Sequence, residues 1–392
     1  MIYKGNHKLG DFFTSRRERG TPGLPMLSVT MNNGVVTRES LDRKMETNLS
    51  DEEHLLVRED DIVYNMMRMW QGASGLSDRD GLLSPAYVVL APKKGIDPLY
   101  ASYLFKSSRL IYLLWAYSYG LTSDRLRLYF NDFKRIPVNI PSLSEQRKIG
   151  KILLAWDRAI SITEKLLTNS QQQKLALMRQ LITGKVRLSG SNKKWLKVHL
   201  SDICEIGAGY SAPQEDKYFT QGKYSFFRVS DMGGSSARWL TQSRDKINKM
   251  AIQDCGMKLI PQGATLFTKS GASLLLNQRA QLKNPAYIVS HIGYAKAKNK
   301  CCDDFIYFLM SSIDFNSYSA GTSLPALQLS TLSKVYVLVP ELEEQEKIAA
   351  VLNIADREIA TLQQKLACLK QEKKALMQQL LTGKRRVKVD ES

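Results

Sequence analysis

The sequence predicts an α/β (α+β) protein. Two similar mixed α/β domains alternate with two long helices that pair as an antiparallel coiled coil, giving a pseudo-twofold internal repeat. Three observations predict this. One segment occurs twice at a constant offset, an apolar heptad stripe runs through both copies, and short strand-like and helix-like runs fill the chain between them. In chain order, residues 1–142 form a first domain and 143–188 a first helix. Residues 189–341 form a second domain, 342–386 a second helix, and 387–392 a tail. The polar Ser189-Gly190-Ser191-Asn192-Lys193-Lys194 reads as the linker.

The repeat fixes this division. Glu145-Gln146-Arg147-Lys148-Ile149 returns as Glu344-Gln345-Glu346-Lys347-Ile348, and Thr183-Gly184-Lys185 as Thr382-Gly383-Lys384, each 199 residues later. From Glu145 to Lys185, 19 of 41 positions are identical without a gap. A solenoid unit runs only about 20–50 residues, so this is a duplicated half-protein.

Both copies read as helix. Ile348, Leu352, Ala355, Ile359, Leu362, Leu366, Leu369, Leu376 and Leu380 form a heptad seam in which Lys373 takes the one skipped site. Ile149, Leu153, Trp156, Ile160, Leu167, Leu177 and Leu181 form the first, interrupted by Thr163, Ser170 and Lys174. Gly184 and Gly383 stand where a helix C-cap favours glycine, and basic residues follow each. A helix over 144–181 would span roughly 57 Å. Two matching stripes in one chain are expected to pack on each other, running antiparallel because the first leads to the second domain and the second starts there.

The domains repeat more weakly. Lys8-Leu9-Gly10-Asp11-Phe12 matches His199-Leu200-Ser201-Asp202-Ile203, and Pro85-Ala86-Tyr87-Val88-Val89 matches Pro285-Ala286-Tyr287-Ile288-Val289. Offsets drift, as they do when loops change length on a common scaffold. Tyr336-Val337-Leu338-Val339 reads as a strand, whereas Tyr100–Phe105 and Phe305–Met310 read as helices. The first domain begins almost at Met1, so it is expected to hold slightly less N-terminal structure than the second.

Composition narrows the partners. A net charge of +18 favours a polyanion, because each neutralised phosphate releases counterions. No signal-peptide core and no apolar run near ~18 residues argue against a membrane. Five cysteines without C-x-x-C spacing fit a reducing cytoplasm better than a disulfide framework. Four scattered histidines show no zinc-ligand spacing.

The order of these parts, with Pro141-Ser142-Leu143-Ser144-Glu145-Gln146 and Pro340-Glu341-Leu342-Glu343-Glu344-Gln345 opening helices that end in Leu/Ile-Thr-Gly-Lys, resembles the DNA-specificity subunit of type I restriction–modification systems over essentially the whole chain. The resemblance implies two target-recognition domains, each reading half of a split, asymmetric double-stranded DNA target, on an antiparallel helical spacer. It also implies two methyltransferase (modification) subunits bound to the chain, with restriction/translocase subunits joining through them. S-adenosylmethionine, ATP and Mg would be used by those partners, this chain needing no cofactor.

Candidate base readers follow from side-chain chemistry. In the first domain they are Arg16, Arg17 and Arg19 before Gly20, then Arg68, Gln71, Arg125 and Arg127. In the second they are Arg228, Lys269, Ser270, Gln278, Arg279 and Thr322. Arg68 and Lys269 stand at similar distances before the Pro-Ala-Tyr match. Matches off the heptad seam, Arg158 with Arg357, Gln172 with Gln371 and Gln180 with Gln379, nominate a partner surface presented twice.

The alternative function is an adenine-specific DNA methyltransferase. Asn284-Pro285-Ala286-Tyr287 resembles the Asn-Pro-Pro-Tyr loop that holds a flipped adenine. The third residue is alanine, however, and the other copy reads Ser84-Pro85-Ala86-Tyr87. Gly207-Ala208-Gly209 also lacks the strand–helix context of a cofactor loop. No phosphate loop, H-E-x-x-H pair or Gly-x-Ser-x-Gly elbow appears.

Overall fold

The computed structural model describes residues 7–41, 48–122, 124–188, 193–233, 238–320 and 325–388. It divides into two compact units, residues 1–164 with 365–392, and residues 165–364. Each unit therefore joins one globular region to a piece of both long helices, which four consecutive segments do not convey.

In the first unit β1 (His7–Lys8), β2 (Phe13–Arg16), β3 (Leu27–Thr30), β4 (Ile62–Asn65), β5 (Ser74–Leu76), β6 (Gly81–Leu83), β7 (Tyr87–Pro92) and β8 (Pro137–Val138) follow in order. β2, β7, β4 and β5 form an antiparallel sheet in that spatial order. Ile62, Val63 and Tyr64 are all buried, as a strand covered on both faces requires. Beneath it Phe13, Tyr64, Phe105 and Phe133 pack with ring centroids 5.6–6.1 Å apart. Asp97 caps a helix at Pro98–Leu104, its side chain accepting from Tyr100 N.

The second unit repeats the plan with β9 (Leu196–His199), β10 (Cys204–Ala208), β11 (Tyr224–Phe227), β12 (Trp239–Leu240), β13 (Thr265–Thr268), β14 (Arg279–Leu282), β15 (Tyr287–Ile288), β16 (Ile292–Ala297) and β17 (Tyr336–Val339). Its main sheet runs β10-β16-β13-β14-β12, so the first four strands match β2-β7-β4-β5. Register makes the match specific: Phe13 faces Pro92 as Cys204 faces Ala297, and Tyr64 faces Ser74 as Phe267 faces Arg279. A helix at Asp303–Ser312 takes the place of Pro98–Leu104.

The same register corrects one sequence match. Tyr87 opens β7, whereas Tyr287 lies in β15, parallel to β11. Its counterpart is Leu82 in β6, which bridges Met26 in parallel. The two Pro-Ala-Tyr runs therefore occupy different strands.

The long helices are Leu143–Leu181 and Leu342–Leu380, 39 residues each. They stop short of 188 and 386 because Gly184 and Gly383 turn left-handed, at φ +69° and +72°. In the first unit, Arg386 pairs with Glu145 at 2.5 Å, Lys373 with Asp157 at 2.5 Å and Lys370 with Glu164 at 2.7 Å. One number falls as the other rises, so these segments run antiparallel. In the second, Arg187 with Glu344, Lys174 with Asp356, and Ser170 with Glu358 follow the same rule. The seam also serves the domains. Ile149 and Leu153 belong to the first core and Ile348 and Leu352 to the second, because the opening turns of each helix bury against the domain that precedes them.

The Glu-Gln pair that opens each helix has a structural task. The Gln146 amide donates to Gly95 O and Pro141 O and accepts from Asp97 N. Gln345 accepts from Cys302 N and donates to Pro340 O. Glu145 and Glu344, nearly fully buried, each receive the arginine that follows the other helix's Thr-Gly-Lys. The two repeated motifs are partners.

Candidate nucleic-acid interface

In both units the chain leaves the central strand into a loop and meets a second loop that returns as a hairpin. In the first, Leu128 N donates to Met66 O at 2.9 Å, and Tyr119 and Arg127 bridge across the hairpin. In the second, Leu327 N donates to Lys269 O at 2.8 Å and Gly271 N to Pro325 O at 2.9 Å.

The first pair of loops encloses a cleft of about 530 Å³ lined by Asn65, Met67, Arg68, Trp70, Gln71, Asp124, Arg125 and Arg127. It brings together four sequence candidates, all exposed. Gly72 at φ +87° closes the turn, and the Trp70 indole N–H donates to Met67 O at 3.0 Å, setting the ring in the wall. Arg68 reaches Gln71 at 3.3 Å. Among the described residues no carboxylate lies in ion-pair range of Arg68, Arg125 or Arg127, so their donor forks face solvent. Trp70 and Met67 escaped the sequence reading; their signal was an aromatic and a methionine flanking arginine in a turn.

The other first-unit candidates differ. Arg16 ends β2 and donates to Asp61 at 2.7 Å and Glu18 at 2.6 Å, and its hydrogen bond to Asp61, above all, raises its pKa. It is committed to the fold. Arg17 is exposed beside a second cleft with Tyr119, Tyr129 and Asn131. Arg19 is exposed and its backbone bridges Leu55.

In the second unit Lys269 and Ser270 follow β13 directly. Ser270 Oγ lies 2.7 Å from His291 Nδ1, and Lys269 N donates to His291 O at 3.0 Å, adding a histidine that sequence spacing did not reveal. Register places Lys269 level with Met66, so the counterpart of Arg68 is Gly271 and not Lys269. Gln278 is half-buried near Gly233. Arg279 is turned inward. It donates to Met310 O, Gln278 O, Asn277 Oδ1 and Ile313 O, with its guanidinium 3.5 Å from the Phe315 ring centroid. Burial pulls its pKa down to about 9, leaving it charged at neutral pH. Arg228 pairs with Asp245 and its backbone N–H with Asp231. Arg16 and Arg279 thus act as internal struts, whereas Arg228 is paired but 41% exposed. Thr322 lies outside the described residues. The candidates Arg158, Gln172, Gln180, Arg357, Gln371 and Gln379 are all exposed on the long helices.

Asn284-Pro285-Ala286-Tyr287 offers no open loop: Ala286 and Tyr287 are buried, and Ala286 bridges Ile260. Among the described residues no cluster could hold a metal ion, and no helix is long and apolar enough to cross a membrane.

Two like domains, each with polar side chains on the loop that leaves its central strand, define a DNA-binding protein that carries two target-recognition domains. The family model for the type I restriction modification DNA specificity domain matches residues 6–169 and 192–371, and the chain belongs to that family. It is 26% identical over 365 residues to the type I restriction enzyme MjaVIII specificity subunit of Methanocaldococcus jannaschii, covering 85% of this chain and 81% of that one. To the MjaIX specificity subunit of the same organism it is 27% identical over 317 residues, covering 76% and 71%. In fold it is similar to the type I restriction–modification S subunit from M. genitalium, at a TM-score of 0.60 and 14% identity over 97% of this chain and 98% of that one.

Proposed function

We propose that this chain is the non-catalytic specificity subunit that reads a bipartite, asymmetric duplex and scaffolds two methyltransferase subunits, restriction subunits joining through them. One observation carries the reading: the loop that leaves the central strand recurs in both units with different side chains. The first unit presents Arg68 and Gln71 on that loop with Arg125 and Arg127 across the cleft, and the second presents Lys269, Ser270 and Gln278 with His291 beside Ser270. A shared scaffold with unlike loops suits two unlike half-targets. Arginine forks match guanine O6 and N7, and glutamine matches adenine N6 and N7.

Each unit carries one set, Arg158, Gln371 and Gln379 in the first and Gln172, Gln180 and Arg357 in the second, as a methyltransferase-facing surface, and in the second unit exposed Leu175 and Ile354 stand beside Arg357. S-adenosylmethionine, ATP and Mg act on those partners, and the isolated chain is expected to bind no S-adenosylmethionine.

The test compares the assembled modification complex on a duplex carrying both half-targets with duplexes carrying either alone. Linking two sites makes the second contact intramolecular, so the complete target should bind tighter by about 10²–10⁴. Equal affinities would refute the bipartite reading. Native mass spectrometry at saturation should show two methyltransferase subunits per chain.

A further inference from the structure

The loops that leave the two central strands close on the same turn. Gly72 N donates to Met69 O at 2.7 Å and Asn277 N to Leu274 O at 2.9 Å, with Gly72 and Asn277 left-handed at φ +87° and +52°. Two residues later Ser74 and Arg279 hold matching places, opposite Tyr64 and Phe267. Met69 therefore matches Leu274, and Trp70 and Gln71 match Leu275 and Leu276.

Met69 and Leu274 are fully buried and anchor their turns. Beyond them the loops diverge. Trp70 is tied back to Met67 O, and it lines the arginine cleft together with polar Gln71. In the second unit the same two places hold leucines that are 57% and 66% exposed. Two adjacent aliphatic side chains in water favour an apolar cover.

The turn that carries them is stiff. Asn277 Oδ1 accepts from Phe315 N at 3.2 Å and from Arg279 at 2.8 Å, and its amide donates to Asp314 at 2.8 Å. Arg279 donates further to Met310 O at 3.1 Å and Ile313 O at 3.2 Å, fixing the turn to the end of the helix at Asp303–Ser312. With Arg279 so engaged and Arg228 paired to Asp245, this unit offers base edges fewer free guanidinium donors than the first, where Arg68, Arg125 and Arg127 face solvent. Lys269 and Gln278 stand at the two ends of the loop, suited to phosphate and base contacts on either side of the leucines.

We propose that Leu275 and Leu276 form a wedge that enters the base stack of the second half-target. The inference rests on the recognition role proposed above for this loop. A leucine pressed between base pairs kinks a duplex by about 20–90°, and TA or CA/TG steps yield most readily. The braced turn supplies the stiff backing that insertion needs, and the aliphatic surface leaves water as it enters the stack. The second half-target is then selected partly by how easily one of its steps unstacks, which needs no base-edge donor at that step.

The test uses the assembled modification complex on the duplex target mapped from methylated sites. 2-Aminopurine, which brightens when unstacked, is placed in turn at each second-half purine of either strand except the methylated adenine. The unaltered complex should brighten it several-fold at one step. Leu275→Ala with Leu276→Ala should abolish that signal and weaken binding by about tenfold. Both side chains are exposed, so the pair of substitutions leaves the fold intact. Leu275→Met with Leu276→Met, which keeps an apolar wedge, should retain the signal. A probe that stays dark at every position, or that brightens equally in the alanine variant, would overturn the wedge while leaving specific recognition standing. Loss of methyltransferase subunits from the alanine variant in native mass spectrometry would also overturn it, assigning the leucines to a protein interface. A complex with no preference for the mapped target would refute the recognition role itself, and this inference with it.

Discussion

The two units solve one problem with different residues. In the first, Asp157 accepts from the Tyr103 hydroxyl at 2.6 Å and pairs with Lys373 at 2.5 Å, Lys373 standing 5.3 Å from the Tyr103 ring. In the second, Asp356 pairs with Lys174 at 2.5 Å, and Lys174 stands 5.8 Å from the Phe308 ring. Phenylalanine has no hydroxyl to give. Arg238 stands nearby instead, 3.8 Å from an Asp356 oxygen that accepts no hydrogen bond among the described residues. It binds Asp304, Asn353 and Gln281 and lies 4.2 Å from the Tyr307 ring. The lysine–aspartate pair joining the helices is constant; the domain's share of the node is replaceable. This accounts for Lys174 and Lys373 at seam positions that otherwise favour leucine. A polar group satisfied by only one partner across a helix pair fixes register at some cost in stability.

That comparison can be broken at each member, beginning with the largest effect. Arg238→Ala removes the ion pair to Asp304 and the hydrogen bonds to Gln281 and Asn353, where the arginine side chain is only 7% exposed. Asp356 keeps Lys174 and Asp304 keeps Asn353. A loss of about 3–5 kcal/mol is expected, the range for removing one partner of a buried ionic group. Urea unfolding measures it, and a loss under about 1 kcal/mol would show that the node is ornamental. Lys373→Ala leaves Asp157 its tyrosine, so about 1.5–3 kcal/mol is expected, as for a hydrogen bond to a charged group. The smallest effect belongs to Tyr103→Phe, at about 1 kcal/mol.

Tyr103 also carries a pH signature. Burial, then the hydrogen bond to Asp157, raises its phenol pKa well above 10. The unfolded chain ionises near 10, so the stabilisation is complete below that pH and is lost as pH climbs toward the folded value. Tyr103→Phe should flatten this alkaline decline, as seen in melting temperatures above and below pH 10. An unchanged decline would assign it to other tyrosines and lysines.

The helices were legible in the sequence because heptad spacing and terminal glycines are local signals. So was the strand Tyr336–Val339, a β-branched and aromatic run before proline. The helix at Asp303–Ser312 outran its apolar stretch because Asp303 and Asp304 suit a helix's first turn. What stayed hidden depends on distant contacts. Nothing in an arginine's neighbourhood distinguishes Arg16, held by Asp61 from 45 residues away, from Arg125, which faces solvent. The Pro-Ala-Tyr match misled because identical triplets suit strands at different sheet positions.

The central claim is that the two loop pairs read separate half-targets, and one measurement addresses it directly. Methylated sites are mapped genome-wide for the complete system carrying Arg125→Ala and Arg127→Ala, beside the unaltered system. Each lost base contact removes about 1–3 kcal/mol of discrimination. The account predicts relaxed sequence in one half of the split target, with the other half and the gap unchanged. Relaxation of both halves together, or of neither, would contradict it.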